Sequence, residues 1–200
     1  MDRLGRRFFL KRTTTVAERL LGCRLVRMIG GTRTAGLVVE VEAYGGEADP
    51  ASHAHGGMTE RNRVMFGEPG HAYVYFSMGM HWCLNVTTER VGRAGAVLFR
   101  AVEPTEGVDL MKRRRRIDAL ERLTDGPAKL TQALAIDGRL NGEDLVTSRR
   151  LFLERGRPVR AVSSTARVGI SKGTELRWRF FEKGNRFVSK AKPSAEPQNA

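Results

Sequence analysis

Between Val38 and Gly46 the chain reads VVEVEAYGG, a β pattern carrying two carboxylates and a tyrosine at alternate positions. Side chains of a strand point to opposite faces with period two, so Val39, Val41 and Ala43 form one apolar face and Glu40, Glu42 and Tyr44 the other. So apolar a strand belongs in a sheet with a buried face, and the fold must then either wet its two acids or shelter them. The acid face meets water or lines a site.

With 200 residues, 40% of them apolar, the chain is long enough for one domain with a real core and short for two. One domain is expected over residues 1–190, with residues 191–200 a Pro-containing polar tail expected to be disordered. Thirty-five Lys and Arg against 22 Asp and Glu give a net charge of +13 and point to a polyanionic partner. Nucleic acid leads, with an acidic membrane surface second. No signal-peptide core or bilayer-length apolar run is visible, so an intracellular protein is expected. Cys23 and Cys83 lie in strand-like sequence without CxxC spacing and read as reduced packing residues. His53 and His55 lack a second pair of ligands, so no metal is expected.

Thr15 and Glu18 have capping-box spacing, predicting a helix over Val16–Leu21 that stops at Gly22. CRLVRMI, GGT and the opening strand form a hairpin. Residues 50–70, polar and rich in Gly, His and Arg, read as a long functional loop. HAYVYFSMGMHWCLNVTTE then predicts a second hairpin turning at Met78-Gly79. AGAVLFRAVEP continues as a strand stopped by Pro104, and residues 105–116 form a polar helix ending in KRRRR, a solvated face or a phosphate-steering one. Asp125 and Pro127 open a further helix. LFLERG, ARVGI, WRFFEKG and RFVS read as short β-like segments. The whole is α+β, a single compact domain with a curved, mostly antiparallel sheet flanked by helices and a protruding hairpin.

A carboxylate beside an aromatic platform in a basic protein suits an enzyme that handles nucleobases, because bases stack on aromatics and a carboxylate can activate water. A plain exposed strand face is the alternative. In the second hairpin, Tyr73 and Tyr75 share one face and Trp82 lies across the turn. The tip carries Met78, where turns normally place a polar residue. An apolar tip either wedges into a minor groove and unstacks a base step, or folds back onto Trp82.

The blocks VEVEAYGGEADPASHAHGG, RNRVMF, YVYFSMGMHWCLN, LFRAVEP, DGPAKLTQALAI and ARVGI, in this order across about residues 15–190, resemble the alkyladenine (3-methyladenine) DNA glycosylase family, the single-domain type unrelated to helix-hairpin-helix glycosylases. The resemblance implies that Glu42 is the general base holding the attacking water, that Arg100 helps position it, and that the backbone carbonyl of Val168 is a third water ligand. It implies that Tyr44, His53 and Tyr75 sandwich and contact a flipped base, with Met78 as intercalating tip and Asn85 near the vacated base pair. The implied substrate is double-stranded DNA with an alkylated or deaminated purine (3-methyladenine, 7-methylguanine, hypoxanthine or ethenoadenine), acted on by a monomer without cofactor. The implied location is the bacterial cytoplasm at the nucleoid, or a eukaryotic nucleus.

No lysine beside these motifs suggests a Schiff-base nucleophile, so hydrolysis without strand cleavage is expected; Lys129 reads as structural or phosphate-facing. The family's animal members have tyrosine at the tip, where this chain has Met78, so weaker holding of the flipped state is expected. His81 reads as half-buried packing, and Glu40 as a supporting partner of a nearby arginine. Arg61, Asn62 and Arg63 contact phosphate or cap the loop under the base pocket. The competing readings are a nucleic-acid-binding module without hydrolysis, and an enzyme of RNA base modification.

Overall fold

The computed structural model describes residues 2–195. Eight strands form one antiparallel sheet, curled into a half-barrel: β1 (Arg24–Ile29), β2 (Thr32–Tyr44), β3 (Ala72–Ser77), β4 (His81–Thr87), β5 (Ala96–Glu106), β6 (Leu151–Glu154), β7 (Val162–Thr165) and β8 (Arg179–Glu182). The main path runs β3-β4-β5-β2-β1-β6. β2 is its long central strand. On one edge it pairs with β5 along most of its length; on the other, β1 covers residues up to Leu37 and β8 takes over at Glu40–Glu42. Glu40 and Glu42 therefore have a strand on each side, and neither is exposed at all.

Among the described residues four α-helices accompany the sheet: α1 (Arg6–Phe9), α2 (Thr13–Leu20), α3 (Val108–Arg115) and α4 (Pro127–Leu134). Val16, Ala17 and Leu20 of α2, Met111 of α3 and Leu130, Ala133 and Leu134 of α4 pack with Val38, Val41, Ala43, Phe99 and Val102 into the main core. A smaller cluster of Ala54, Met65, Phe66, Tyr73, Ala94 and Ala96 roots the 50–70 loop. Among the described residues no helix is long and apolar enough to cross a membrane.

Register irregularities between β2 and β5 change the expected strand faces. Val38 pairs with Val102, Glu40 with Ala101 and Val41 with Phe99, so Val39 and Arg100 are each the extra residue of a bulge. Val39 accordingly leaves the apolar face assigned to it by simple alternation and packs with Ala101 and Phe187, while Val38, Val41 and Ala43 keep to the main core. Arg100, next to core-facing Phe99, lies on the side of the two glutamates.

Several boundaries differ from expectation. The first long helix starts at Thr13, two residues before the expected cap. Thr13 N–H and Oγ1 both donate to Glu89, at 2.8 and 3.0 Å, which fixes the chain there instead of at Thr15. β5 runs through Pro104 to Glu106, because Pro104 falls at a register shift, where the missing N–H is tolerated. The following helix starts at Val108, after Gly107 turns the chain with φ 68°. ARVGI and RFVS form no strand; they are loops packed against the sheet, and β7 comes from the segment before ARVGI. Cys23 and Cys83 are free, buried thiols. In the expected tail, Ser194 N–H donates to Arg167 O at 2.9 Å and Ser194 Oγ accepts from Ile170 N at 3.1 Å; residues 196–200 of that tail lie outside the described residues.

Two residues of the basic run, Arg114 and Arg115, are spent on packing. Arg114 donates to Ala133 O and Arg115 to Leu123 O, tying α3 to α4 and its approach. Lys129 pairs with Asp125 at 2.9 Å.

The close crossing of β2 over β5 depends on Gly36, where an added Cβ would stand 2.7 Å from Val102 Cγ2 and 2.9 Å from Glu103 O. Gly36→Ala is expected to destabilise the fold by about 1–3 kcal/mol through overpacking, read as a lower midpoint in thermal or denaturant unfolding.

Candidate active site

A four-membered ionic cluster lies at the middle of β2. Arg100 Nε donates to Glu40 Oε1 at 2.8 Å, and Arg100 Nη1 lies 3.2 Å from Glu42 Oε1. From β8, Arg179 Nε donates to Glu40 Oε1 at 2.7 Å, and Ser189 adds its N–H to Glu40 Oε2 at 2.7 Å and its hydroxyl to Oε1 at 2.9 Å. Burial opposes ionisation of Glu40, but the Arg100 and Arg179 charges and these hydrogen bonds outweigh it and hold the carboxyl below its ordinary value. Burial likewise disfavours the Arg100 cation, and Glu42 and Glu40 more than restore it.

Glu42 is held differently. Oε1 accepts from Val168 N at 2.7 Å and Oε2 from Tyr44 Oη at 2.9 Å. A carboxylate oxygen has two acceptor positions, so Oε2 keeps one available for a water. Burial, followed by the negative charge and hydrogen bond of Glu42, raises the Tyr44 pKa well above its usual value and keeps the phenol a donor.

Behind Tyr44 lies a second ion pair. Arg167, wholly buried, makes a two-pronged contact with Asp49 at 2.6 and 2.8 Å, and its Nη1 donates to Ala43 O at 3.0 Å. Its guanidinium stacks 4.7 Å from the centre of the Tyr44 ring and 5.4 Å from that of Trp178. Asp49 also accepts from Gly45 N and Ala51 N, turning the chain after Tyr44. This clamp joins the end of β2 to the loop that delivers Val168 to Glu42.

In front of Tyr44 opens a cavity of about 260 Å³, lined by Tyr44, His53, Arg61, Tyr73, Tyr75 and Asn85 among others. His53 and Tyr75 meet edge to face with centroids 4.6 Å apart, and Tyr73 and Tyr75 are 5.3 Å apart. His53 Nδ1 is 2.9 Å from Tyr73 Oη. Crowding by these neighbours desolvates the His53 ring, and with the Arg61 charge lowers its pKa although part of the residue meets solvent. At neutral pH it is therefore a neutral imidazole with one donor and one acceptor. Buried Asn62 fastens the loop beneath, donating to His53 O and Gly57 O. Arg61 lies 5.4 Å over the Tyr75 ring, while Arg63 pairs with Glu60 on the surface.

The structure thus brings Glu42, Arg100, Val168, Tyr44, His53 and Tyr75 together. Val168 meets Glu42 through its N–H, a contact the sequence expectation of a carbonyl ligand did not include. Met78 lines the mouth of the same cavity and is 80% exposed, so it does not fold back onto Trp82, which packs instead on Phe76 and against Gly138. Asn85 lies in the cavity wall, 3% exposed, and donates from Nδ2 to Tyr73 O. Sequence reasoning passed over Asp49, Arg167, Arg179 and Ser189. The usable signal was an arginine inside each of two apolar stretches, ARVGI and WRFF, where an unpaired cation would be untenable. Among the described residues, no group of three or more His, Cys, Asp or Glu is arranged to hold a metal.

The site is an aromatic-walled cavity beside a sheltered carboxylate, on a basic half-barrel with an apolar hairpin tip. The profile of the methylpurine-DNA glycosylase (MPG) family matches residues 7–186. Three bacterial relatives each carry the name "Putative 3-methyladenine DNA glycosylase". That of Carboxydothermus hydrogenoformans is 50% identical over 94% of this chain and 98% of its own length. That of Chlorobaculum tepidum is 45% identical over 99% and 96%. That of Prosthecochloris aestuarii is 48% identical over 96% and 94%. The chain belongs to the methylpurine-DNA glycosylase family, which makes it a hydrolase of DNA base excision repair.

Two outcomes follow from the buried ion pairs. Asp49→Asn leaves Arg167 charged and unpaired in the interior and is expected to cost about 3–5 kcal/mol, measured by denaturant unfolding. The depressed pKa of Glu40 stabilises the fold above its ordinary value of 4.5, and this contribution is lost as pH falls through the lower folded value. Stability measured by thermal melts should therefore fall on acidification below about 4.5.

Proposed function

We propose that this protein is a monofunctional purine DNA glycosylase that flips alkylated or deaminated purines out of duplex DNA and hydrolyses the N-glycosidic bond. The single observation that carries the reading is the adjacency of Glu42 and Tyr44: a buried carboxylate with a spare acceptor position, hydrogen-bonded to the aromatic wall of a cavity sized for one heterocycle.

A base inside the helix must leave the stack before its glycosidic bond is accessible, and a lesion that pairs or stacks poorly costs less to extrude. The exposed apolar tip of Phe76, Met78 and Met80 is suited to fill the gap left in the stack. The extruded purine stacks on Tyr44, opposite His53 and Tyr75. Glu42, fixed by Val168 N–H and flanked by Arg100, takes a proton from a water as it attacks C1′, and the base departs with the bonding electrons. Positive charge developing on the sugar is offset by the carboxylate. A cationic base such as 3-methyladenine leaves as a neutral molecule. A neutral one such as hypoxanthine or ethenoadenine needs a proton or hydrogen bond on the purine, for which His53 supplies a contact. The products are free base and an abasic site in an intact strand, because no lysine is placed as a Schiff-base nucleophile among these side chains. One copy of the chain suffices, since the side chains invoked all come from it.

A binding module without hydrolysis would share the salt-sensitive affinity for DNA. Single-turnover base release separates the two, using duplexes carrying hypoxanthine, ethenoadenine or 3-methyladenine at one position. Glu42→Gln is expected to lower release by about 10²–10⁴-fold while damaged-duplex binding survives. Binding without release by the wild-type protein would favour the module. Met78→Tyr is expected to tighten binding to damaged duplex, since aromatic stacking on a base contributes about 1–3 kcal/mol. Unchanged affinity and rate would remove the tip from the account.

A further inference from the structure

Glu40 is a wholly buried carboxylate that the proposed reaction does not use, next to the one that it does. Burying charge is costly, and apolar residues would cement β2, β5 and β8 at least as well, so its presence calls for a physical reason. We infer that Glu40 is a positioning residue for Arg100: it pins the guanidinium by Nε, so that Glu42 receives one lateral contact and keeps an oxygen for water. The inference rests on the glycosylase reading and assigns within it what sets the geometry of the base.

The geometry argues this in three steps. An unrestrained arginine beside a carboxylate favours the two-pronged fork, which would occupy both oxygens of Glu42. Here Nε is turned instead to Glu40 Oε1 at 2.8 Å, and Nη1 meets only Glu42 Oε1, at 3.2 Å. Tyr44 and Val168 hold the Glu42 carboxylate from other directions, so Arg100 is the member of the set whose arrangement decides what remains free. Second, Glu40 is itself immobilised from outside the β2–β5 pair. Arg179 Nε and Ser189 Oγ also bind its Oε1, and Ser189 N–H binds its Oε2. Third, the cluster is balanced, with Arg100 and Arg179 against Glu40 and Glu42. Removing the Glu40 charge releases Arg100 to close on Glu42, the nearest remaining anion.

The test is a double-mutant cycle on single-turnover base release, with duplex affinity and unfolding midpoints measured on the same proteins. Glu40→Gln is expected to lower the release rate about tenfold or more, with the dissociation constant for damaged duplex changed less than about threefold. In an Arg100→Ala background, Glu40→Gln should have less than about a twofold further effect, because the residue it acts through is gone. A purely structural role makes the two losses multiply, or makes the rate fall only with the folded fraction; either result overturns the inference. If Glu40→Gln does not fold, Ser189→Ala loosens Glu40 more gently. It should slow release about threefold, again only when Arg100 is present, and an unchanged rate overturns the inference. Wild-type release with Glu40→Gln at the wild-type rate rejects the inference alone. No release by the wild-type protein rejects the glycosylase reading and the inference with it.

Discussion

The chain of buried ion pairs across the middle of the sheet, Arg179 to Glu40 to Arg100 to Glu42, is the constraint on which the rest depends. Each charged group is untenable alone in the interior and acceptable only with its partner in place. Three strands and the Ser189 segment must therefore arrive in register together. β2 can hold two acids at its centre because β5 and β8 each bring an arginine to its two edges. Glu40 and Glu42 alternate with core-facing Val41 and Ala43, and Arg100 follows core-facing Phe99, so the three side chains share the face away from the main core.

The Arg167–Asp49 clamp solves a related problem at the end of β2. Loops that line a cavity are normally the least stable parts of a fold. Here the loop after Tyr44 and the loop carrying Val168 are joined by a fully buried fork, with its guanidinium close to the rings of Tyr44 and Trp178. The wall of the cavity and the donor to Glu42 thus move as one unit. Rigidity at this point matters chemically, because positioning and preorganised electrostatics supply much of what an enzyme does at a reacting centre. The hairpin tip is the opposite case. Met78 and Met80 are mostly exposed at the turn.

The excess of positive charge is unevenly spent. Part of it is internal: Arg100, Arg167 and Arg179 in the site, Arg114 and Arg115 between helices. The remainder lies on the surface, where it favours association with a phosphate backbone without choosing a sequence. The cavity itself is walled largely by aromatic side chains, Tyr44, His53, Tyr73 and Tyr75.

The sequence by itself determined the strand faces near Glu42 and Tyr44, both hairpins, the helix at Pro127, the place of Met78 at a hairpin tip and, through six ordered blocks, the family. Those features are local: alternation, turn residues and helix-start signals act over a few positions. What it left undecided was long-range. Simple alternation put Val39 with Val41, and only the β5 register shows that a bulge moves it. Thr15 had the spacing of a cap, yet Thr13 starts the helix because Glu89, far along the chain, is there to accept its donors. ARVGI looked like a strand by composition, and it is a loop because Arg167 is drawn inward to Asp49. Partners for buried charges are chosen by the folded arrangement of distant segments, and no spacing rule along the chain encodes that choice.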